Sequence, residues 1–167
     1  MKKLTVILGV IILFCACQQT ESEMTDEQRQ EIASTITQQF KDLMDQPSTD
    51  NWVDEFLSSW VENDDKAWLG KPALWLNLMT LYPDQDKIYE VWKPIGEVRS
   101  STDFTVDEDY VAVLSAESAV YVFKGSFTIT YKEGTTTDPT PMSGSYVYVL
   151  RDGKWKTLHQ HLSWKTN

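Results

Sequence analysis

A chain of 167 residues with 15 Lys and Arg against 25 Asp and Glu carries a formal net charge of −10, and 41% of it is hydrophobic. That charge repels nucleic acid and anionic lipid head groups, which excludes functions built on a basic patch. Seven Trp, seven Tyr and six Phe supply enough apolar bulk for the core of a single domain of ordinary size.

Residues 1–16 read as a targeting segment and stand outside the fold. Lys2 and Lys3 give the positive start. Leu4 to Phe14 is an apolar run of about 11 residues, too short for a permanent span of about 20. The next residues, Phe14-Cys15-Ala16-Cys17, resemble the lipobox of bacterial lipoproteins. That resemblance implies cleavage before Cys17, lipidation of Cys17, and membrane attachment through the lipid anchor in the bacterial cell envelope. Gln18 after the cysteine favours the outer membrane. An ordinary secretory signal with two incidental cysteines is the alternative, and both readings take the protein out of the cytoplasm. With Cys17 acylated, the mature chain keeps no second cysteine to pair. Stability then has to come from the core. Residues 17–24 form a short polar tether, and residues 25–165 a single domain.

Thr25-Asp26-Glu27-Gln28 fits a capping box, with Thr25 as N-cap and Gln28 three residues on. Ile32, Ile36, Phe40, Leu43 and Met44 then mark one face of a helix that ends before Pro47. Ser48 to Asp50 start a second helix with a wide aromatic stripe: Trp52, Val53, Phe56, Leu57, Trp60 and Val61. Asn63-Asp64-Asp65 breaks it. Lys66–Leu69 and Ala73–Asn77 read as short strands of a hairpin around Gly70-Lys71-Pro72, with a helix over Ala73–Leu81 as the competing reading. Pro83-Asp84 opens a short helix with Ile88, Val91, Trp92 and Ile95 inward, closed by Pro94 and Gly96.

The rest predicts strand. Glu97–Val106 and Tyr110–Ser115 are divided by Asp107-Glu108-Asp109, a bulge or a tight turn. Ser118–Lys132 follows the turn at Ala116-Glu117. It puts Ala119, Tyr121, Phe123, Phe127, Ile129 and Tyr131 on one side, with Gly125 as a bend or bulge. Glu133 to Pro141 is a hairpin loop.

Asp152-Gly153 between Ser145–Arg151 and Lys154–Trp164 is a strong hairpin signal, since a two-residue type I′ turn needs positive φ at both positions. Unbroken pairing from that turn sets 148 opposite 157 and 146 opposite 159. One face then collects Tyr146, Tyr148, Leu150, Trp155, Thr157, His159 and His161. The other collects Val147, Val149, Leu158, Leu162 and Trp164, with Lys156 and Gln160 among them. Helices followed by long antiparallel strands predict an α+β fold, with two to three N-terminal helices on one face of a curved antiparallel sheet.

Three stretches carry a family resemblance: Ala112 to Val120, Arg151-Asp152-Gly153-Lys154-Trp155-Lys156, and His159-Gln160-His161-Leu162-Ser163. Together they resemble SnoaL-like proteins of the nuclear transport factor 2-like superfamily. The resemblance implies a cone, in which helices close the concave side of a bent sheet over a pocket. It implies that Trp155, His159, His161 and Ser163 look into that pocket. Tyr146 and Tyr148 join them in the register above. The aliphatic face is then the surface of a homodimer through the outer sheet face, or is covered by the tether.

The pocket-lining set is therefore Tyr146, Tyr148, Trp155, His159 and His161. His159 and His161 are the only imidazoles, and serve as acid–base groups, as metal ligands, or as hydrogen-bonded parts of the wall. The wall role is favoured, because no third ligand can be named for a metal. Superfamily enzymes use a carboxylate deep in the cone, and the candidates here are Asp64, Asp65, Asp103 and Glu97, none singled out by a motif. No metal and no cofactor are expected, since phosphate loops, nucleophile elbows and paired-cysteine motifs are missing. The expected function is an envelope-anchored module that binds a small apolar or aromatic molecule, or a partner domain, in its cone. The alternative is a small isomerase, cyclase or dehydratase with a pocket His or carboxylate as base.

Overall fold

The computed structural model describes residues 24–44, 52–60, 74–77, 80–82 and 85–164. The targeting segment with Cys17, the acidic break at Asp64 and Asp65, and the expected strand over Lys66–Leu69 lie outside the described residues.

Helix α1 runs over Asp26–Met44. The expected capping box starts it: the Thr25 amide donates to Gln28 Oε1 at 2.9 Å, and the Gln28 amide to Thr25 Oγ1 at 3.2 Å. Two of the amides that a helix start leaves without partners are thereby satisfied. Its apolar face buries Ile36 and Phe40 completely, with Ile32 and Met44 packed beside them. Side chains tie it to the sheet at two points. Arg29 Nη1 donates to the Val113 carbonyl at 3.3 Å, and Gln39 Nε2 to the Trp155 carbonyl at 3.0 Å.

Helix α2 is Trp52–Ser58, and its i, i+1, i+4, i+5 stripe buries Trp52, Val53, Phe56 and Leu57. Helix α3 is Gln85–Val98. It does not close at Pro94 and Gly96 as expected, but passes through both. Pro94 removes one helical donor, yet the last turn is held by packing against α2, where Trp92 meets Trp52 edge-on at 5.8 Å. Gly96 lies against the Trp52 indole: a Cβ there would stand 2.1 Å from Nε1. It serves close helix approach rather than termination.

Six strands follow the order β2-β1-β6-β5-β4-β3 across one sheet. They are β1 Leu74–Asn77, β2 Thr80–Tyr82, β3 Arg99–Ser115, β4 Ser118–Tyr131, β5 Thr140–Arg151 and β6 Lys154–Trp164. All neighbours are antiparallel except β1 and β6, which run parallel. The short hairpin is therefore β1 with β2, with Leu76 opposite Leu81. The helical reading of Ala73–Leu81 does not hold.

Strand β3 is continuous, and the acidic interruption is a bulge between Val106 and Glu108. The bulge lets Phe104 and Val106 before it, and Val111 after it, all pack on the core. Gly125 sits opposite Val106 at that same bulge. A Cβ on Gly125 would lie 2.0 Å from the Thr105 carbonyl oxygen, so the sheet bends where the backbones come closest. The core centres on Phe40, whose ring meets Tyr121, Phe123, Tyr146 and Phe104 at 4.4, 4.9, 5.3 and 5.8 Å. The outer face of β3 and β4 leaves Tyr110, Leu114 and Val122 66%, 62% and 39% exposed.

The closing hairpin turns at Asp152 and Gly153, with φ of 50° and 73°, and pairs Arg151 with Lys154 and Tyr148 with Thr157 as expected. Beyond that point the expected register is corrected. Leu158 is an extra residue, so His159 pairs with Val147 and Gln160 with Tyr146. The bulge falls where β6 changes its other neighbour. Thr157 bridges to Trp60, its amide donating to the Ser59 carbonyl at 2.8 Å, while β1 pairing starts at His159. One added residue moves every later side chain to the opposite face.

Candidate functional site

The helices and the concave face of the sheet enclose a cavity of about 310 Å³, a volume at the small end for a ligand pocket. Leu43 and Met44 of α1, Trp52 and Phe56 of α2, and Val91, Trp92 and Ile95 of α3 form its helical side. Phe104, Phe123, Phe127, Ile129, Met142, Leu162 and Trp164 form its sheet side. Each group comes from the apolar face of its element, which the helix period of 3.6 and the strand period of 2 direct inward.

Among the described residues, four others interrupt this wall: Arg99, Thr102, Tyr146 and Gln160. Arg99 is the first residue of β3 and lies just beyond α3. Its guanidinium stacks 3.8 Å from the Trp52 ring centre, and Nη1 donates to Thr102 Oγ1 at 2.8 Å. Burial lowers its pKa, but a guanidinium starts so high that it stays charged.

Tyr146 and Gln160 face each other across β5 and β6, both 1% exposed. Gln160 Nε2 donates to the Tyr146 hydroxyl, while Gln160 Oε1 meets no hydrogen-bond partner among the described residues. Burial, then the neighbouring Tyr148, raises the Tyr146 pKa well above the phenol range. The two rings stack with centres 5.9 Å apart and planes 11° off parallel. Behind them Tyr121 donates to Asp109 Oδ2 at 3.0 Å. Its pKa is raised by burial first and by that bond second. Burial raises the Tyr148 pKa as well, so all three phenols are held neutral rather than poised as bases.

Of the five residues expected to line the pocket, Tyr146 does so. Tyr148 is fully buried against Tyr146, and Trp155 packs on the same core, but neither is part of the cavity wall. The bulge at Leu158 turns His159 and His161 to the other face, where His161 is exposed with Nε2 3.4 Å from Ser163 Oγ. In their place Gln160, Leu162 and Trp164, expected on the outer aliphatic face, line the cavity. Glu97 and Asp103 are exposed, and Asp64 and Asp65 lie outside the described residues. Among the described residues no carboxylate and no imidazole lines the cavity. None of them forms a group of three metal-ligating side chains.

Sequence reasoning missed Arg99, Thr102 and Gln160. A signal for Gln160 was present: Trp155 and the pair Leu162 and Trp164 differ in strand parity, so burying all three requires one extra residue between them. Arg99 had no local signal, because its place depends on where α2 brings Trp52. Chemically the arrangement can hold a compact apolar body and accept or donate neutral hydrogen bonds at Tyr146 and Gln160.

Residues 53–166 match the model of the SnoaL-like domain. Solved structures resemble the chain in fold. A candidate scytalone dehydratase from Novosphingobium aromaticivorans superposes with a TM-score of 0.65 at 14% identity, covering 85% of this chain and 89% of that one. A hexachlorocyclohexane dehydrochlorinase gives 0.62 at 13% identity over 85% and 90%. A nuclear transport factor 2-like superfamily protein from Salmonella enterica serovar Typhimurium gives 0.57 at 17% identity over 84% and 93%. No match was found among curated proteins.

Proposed function

Because this chain belongs to the SnoaL-like domain family, we propose that it is a binding module: an envelope-anchored lipoprotein whose cone holds one small, mainly apolar or aromatic molecule. The observation that carries this is the wall of the 310 Å³ cavity, whose described residues are apolar and aromatic apart from Arg99, Thr102, Tyr146 and Gln160. Binding sites for small molecules combine these two features, a large apolar area and a few polar groups that orient the occupant. A catalytic reading needs a base at the reacting atom. The imidazoles face away from the cavity, Glu97 and Asp103 are exposed, and the buried phenols are held protonated. Among the described residues, then, no acid stands in the cavity wall.

Two measurements test the proposal. Cys17→Ser should move the protein from the membrane to the soluble envelope fraction; unchanged fractionation would remove the anchor from the proposal. For the cavity, the full chain in lipid nanodiscs is titrated calorimetrically with 2-naphthamide against empty nanodiscs. Saturable binding is expected, weakened at least about 10-fold in Ile129→Trp, whose added ring takes up the space the probe needs. Binding that Ile129→Trp leaves intact would mean that the probe sits elsewhere.

A further inference from the structure

We infer that the occupant is a neutral apolar or aromatic alcohol or phenol, and that Gln160 accepts the hydrogen of its hydroxyl beside Tyr146; this rests on the cavity being the binding site proposed above. Gln160 is 1% exposed and stands in the cavity wall. Its Nε2 is engaged by the Tyr146 hydroxyl, and its Oε1 meets no hydrogen-bond partner among the described residues. A buried amide oxygen without a donor is costly, and an apolar side chain of the same shape would avoid that cost. A donor on the occupant removes it. The same pair decides which donor fits. Tyr146 accepts from Gln160 through its oxygen and still has its own hydrogen to give. Burial keeps the phenol protonated, so that hydrogen is present at neutral pH. One acceptor and one donor thus stand side by side, and a hydroxyl is the small group that gives one hydrogen and takes another. An ammonium would also donate, but among the described residues no carboxylate lines the cavity to offset its desolvation.

The next positions along the same face are apolar. Gly144 stands opposite Phe123 on one side and Leu162 on the other, on the face of β5 that carries Tyr146, and has no side chain to place there. Leu162 and Phe123 take up that space: a Cβ on Gly144 would stand 2.6 Å from Leu162 Cδ2 and 3.0 Å from Phe123 Cε1. Both line the cavity, and neither side chain can hydrogen-bond. A single water at Gln160 would find polar partners only in Gln160 and Tyr146 among these neighbours, short of the usual number of about three. An occupant is better matched. Its hydroxyl meets the polar pair, and its apolar body lies on Phe123 and Leu162. From there the wall continues to Phe127 and Trp164, whose rings meet edge-on at 6.4 Å.

The test uses two isomers, 2-naphthalenemethanol and 2-methoxynaphthalene, titrated calorimetrically on the full chain in nanodiscs against empty nanodiscs. The oxygen of each accepts a hydrogen bond, but only the alcohol donates one. Each probe is compared with itself on Gln160→Met, which keeps the length of the side chain and removes the amide, so the probe's own solvation cancels. The alcohol is expected to weaken at least about 5-fold. The ether should change by less than about 2-fold or bind tighter, since the unmatched oxygen is gone. Unchanged affinity for the alcohol, or equal weakening of both probes, overturns the hydroxyl reading and leaves the binding module standing. A natural chain that binds 2-naphthamide but not the alcohol does the same. Binding of none of the three compounds overturns the module and the hydroxyl reading together. Should Gln160→Met fail to fold, Gln160→Asn keeps an amide but draws its oxygen back by one methylene. The alcohol alone should then lose about 3- to 10-fold, and an unchanged alcohol affinity or an equal loss for the ether counts against the reading equally.

Discussion

Replacing Gly125 by Ala sets two ordinary rules against each other, and the geometry decides between them. Gly125 is not among the residues with positive φ. On propensity alone the added methyl should therefore stabilise the strand by about 0.4–1 kcal/mol, through a stiffer unfolded chain. In the fold, the new Cβ would stand 2.0 Å from the Thr105 oxygen, 3.1 Å from its carbonyl carbon and 3.2 Å from Val106 Cα. All three are backbone atoms and cannot rotate away. Relieving the first contact requires β3 and β4 to part by about 1 Å, more than the 2.7–3.2 Å window of a backbone hydrogen bond allows. Losing one or two ladder bonds, at about 1 kcal/mol each, and leaving a buried group unmatched, at about 1–3 kcal/mol, outweighs the propensity gain. The expected net loss is about 2–4 kcal/mol, seen as a lower urea midpoint with unchanged slope. Phe123 and Phe127 flank Gly125 and line the cavity, so affinity for 2-naphthamide should fall with it. Gly134→Ala is the control: it has nothing within 4 Å but a φ of +91°, and should lose only about 1–2 kcal/mol. A Gly125→Ala chain as stable as the natural one, or more so, would refute the close approach and the bend built on it.

Phe40→Ala removes the ring that four sheet aromatics surround and should cost about 3–5 kcal/mol in urea unfolding; a loss under about 1.5 kcal/mol would mean that α1 is not packed there. At alkaline pH the phenols of Tyr121, Tyr146 and Tyr148 have folded pKa values raised above that of the unfolded chain, chiefly by burial. The neutral form is thus the one the fold keeps. Their contribution is complete below about pH 10 and is lost as pH rises above it, by about 1.4 kcal/mol per pH unit for each phenol. Absorbance at 295 nm should show these three ionising only as the protein unfolds, and smooth ionisation of every tyrosine near pH 10 in the folded state would contradict their burial.

The residue pattern determined a good deal of this molecule on its own. Local chemistry sufficed wherever one short stretch settles the matter: Thr25 and Gln28 at the start of α1, the stripe of Trp52, Val53, Phe56 and Leu57, and the Asp152-Gly153 turn. The α+β class and the curved sheet under its helices followed from the order of those elements. What the pattern could not decide were the contacts between distant parts. Pro94 and Gly96 read as a helix end, yet packing against Trp52 carries α3 past both. The pairing of β1 with β6 joins segments far apart in the chain. The cavity wall turned on Leu158, which looks like any strand residue until β6 has to leave Trp60 and join β1. Side chains alternate with a period of 2, so that single unpaired residue sent His159 and His161 outward and brought Gln160, Leu162 and Trp164 inward. The same alternation that made the hairpin legible made its far half unreadable, because parity passes every local insertion on to all the residues beyond it.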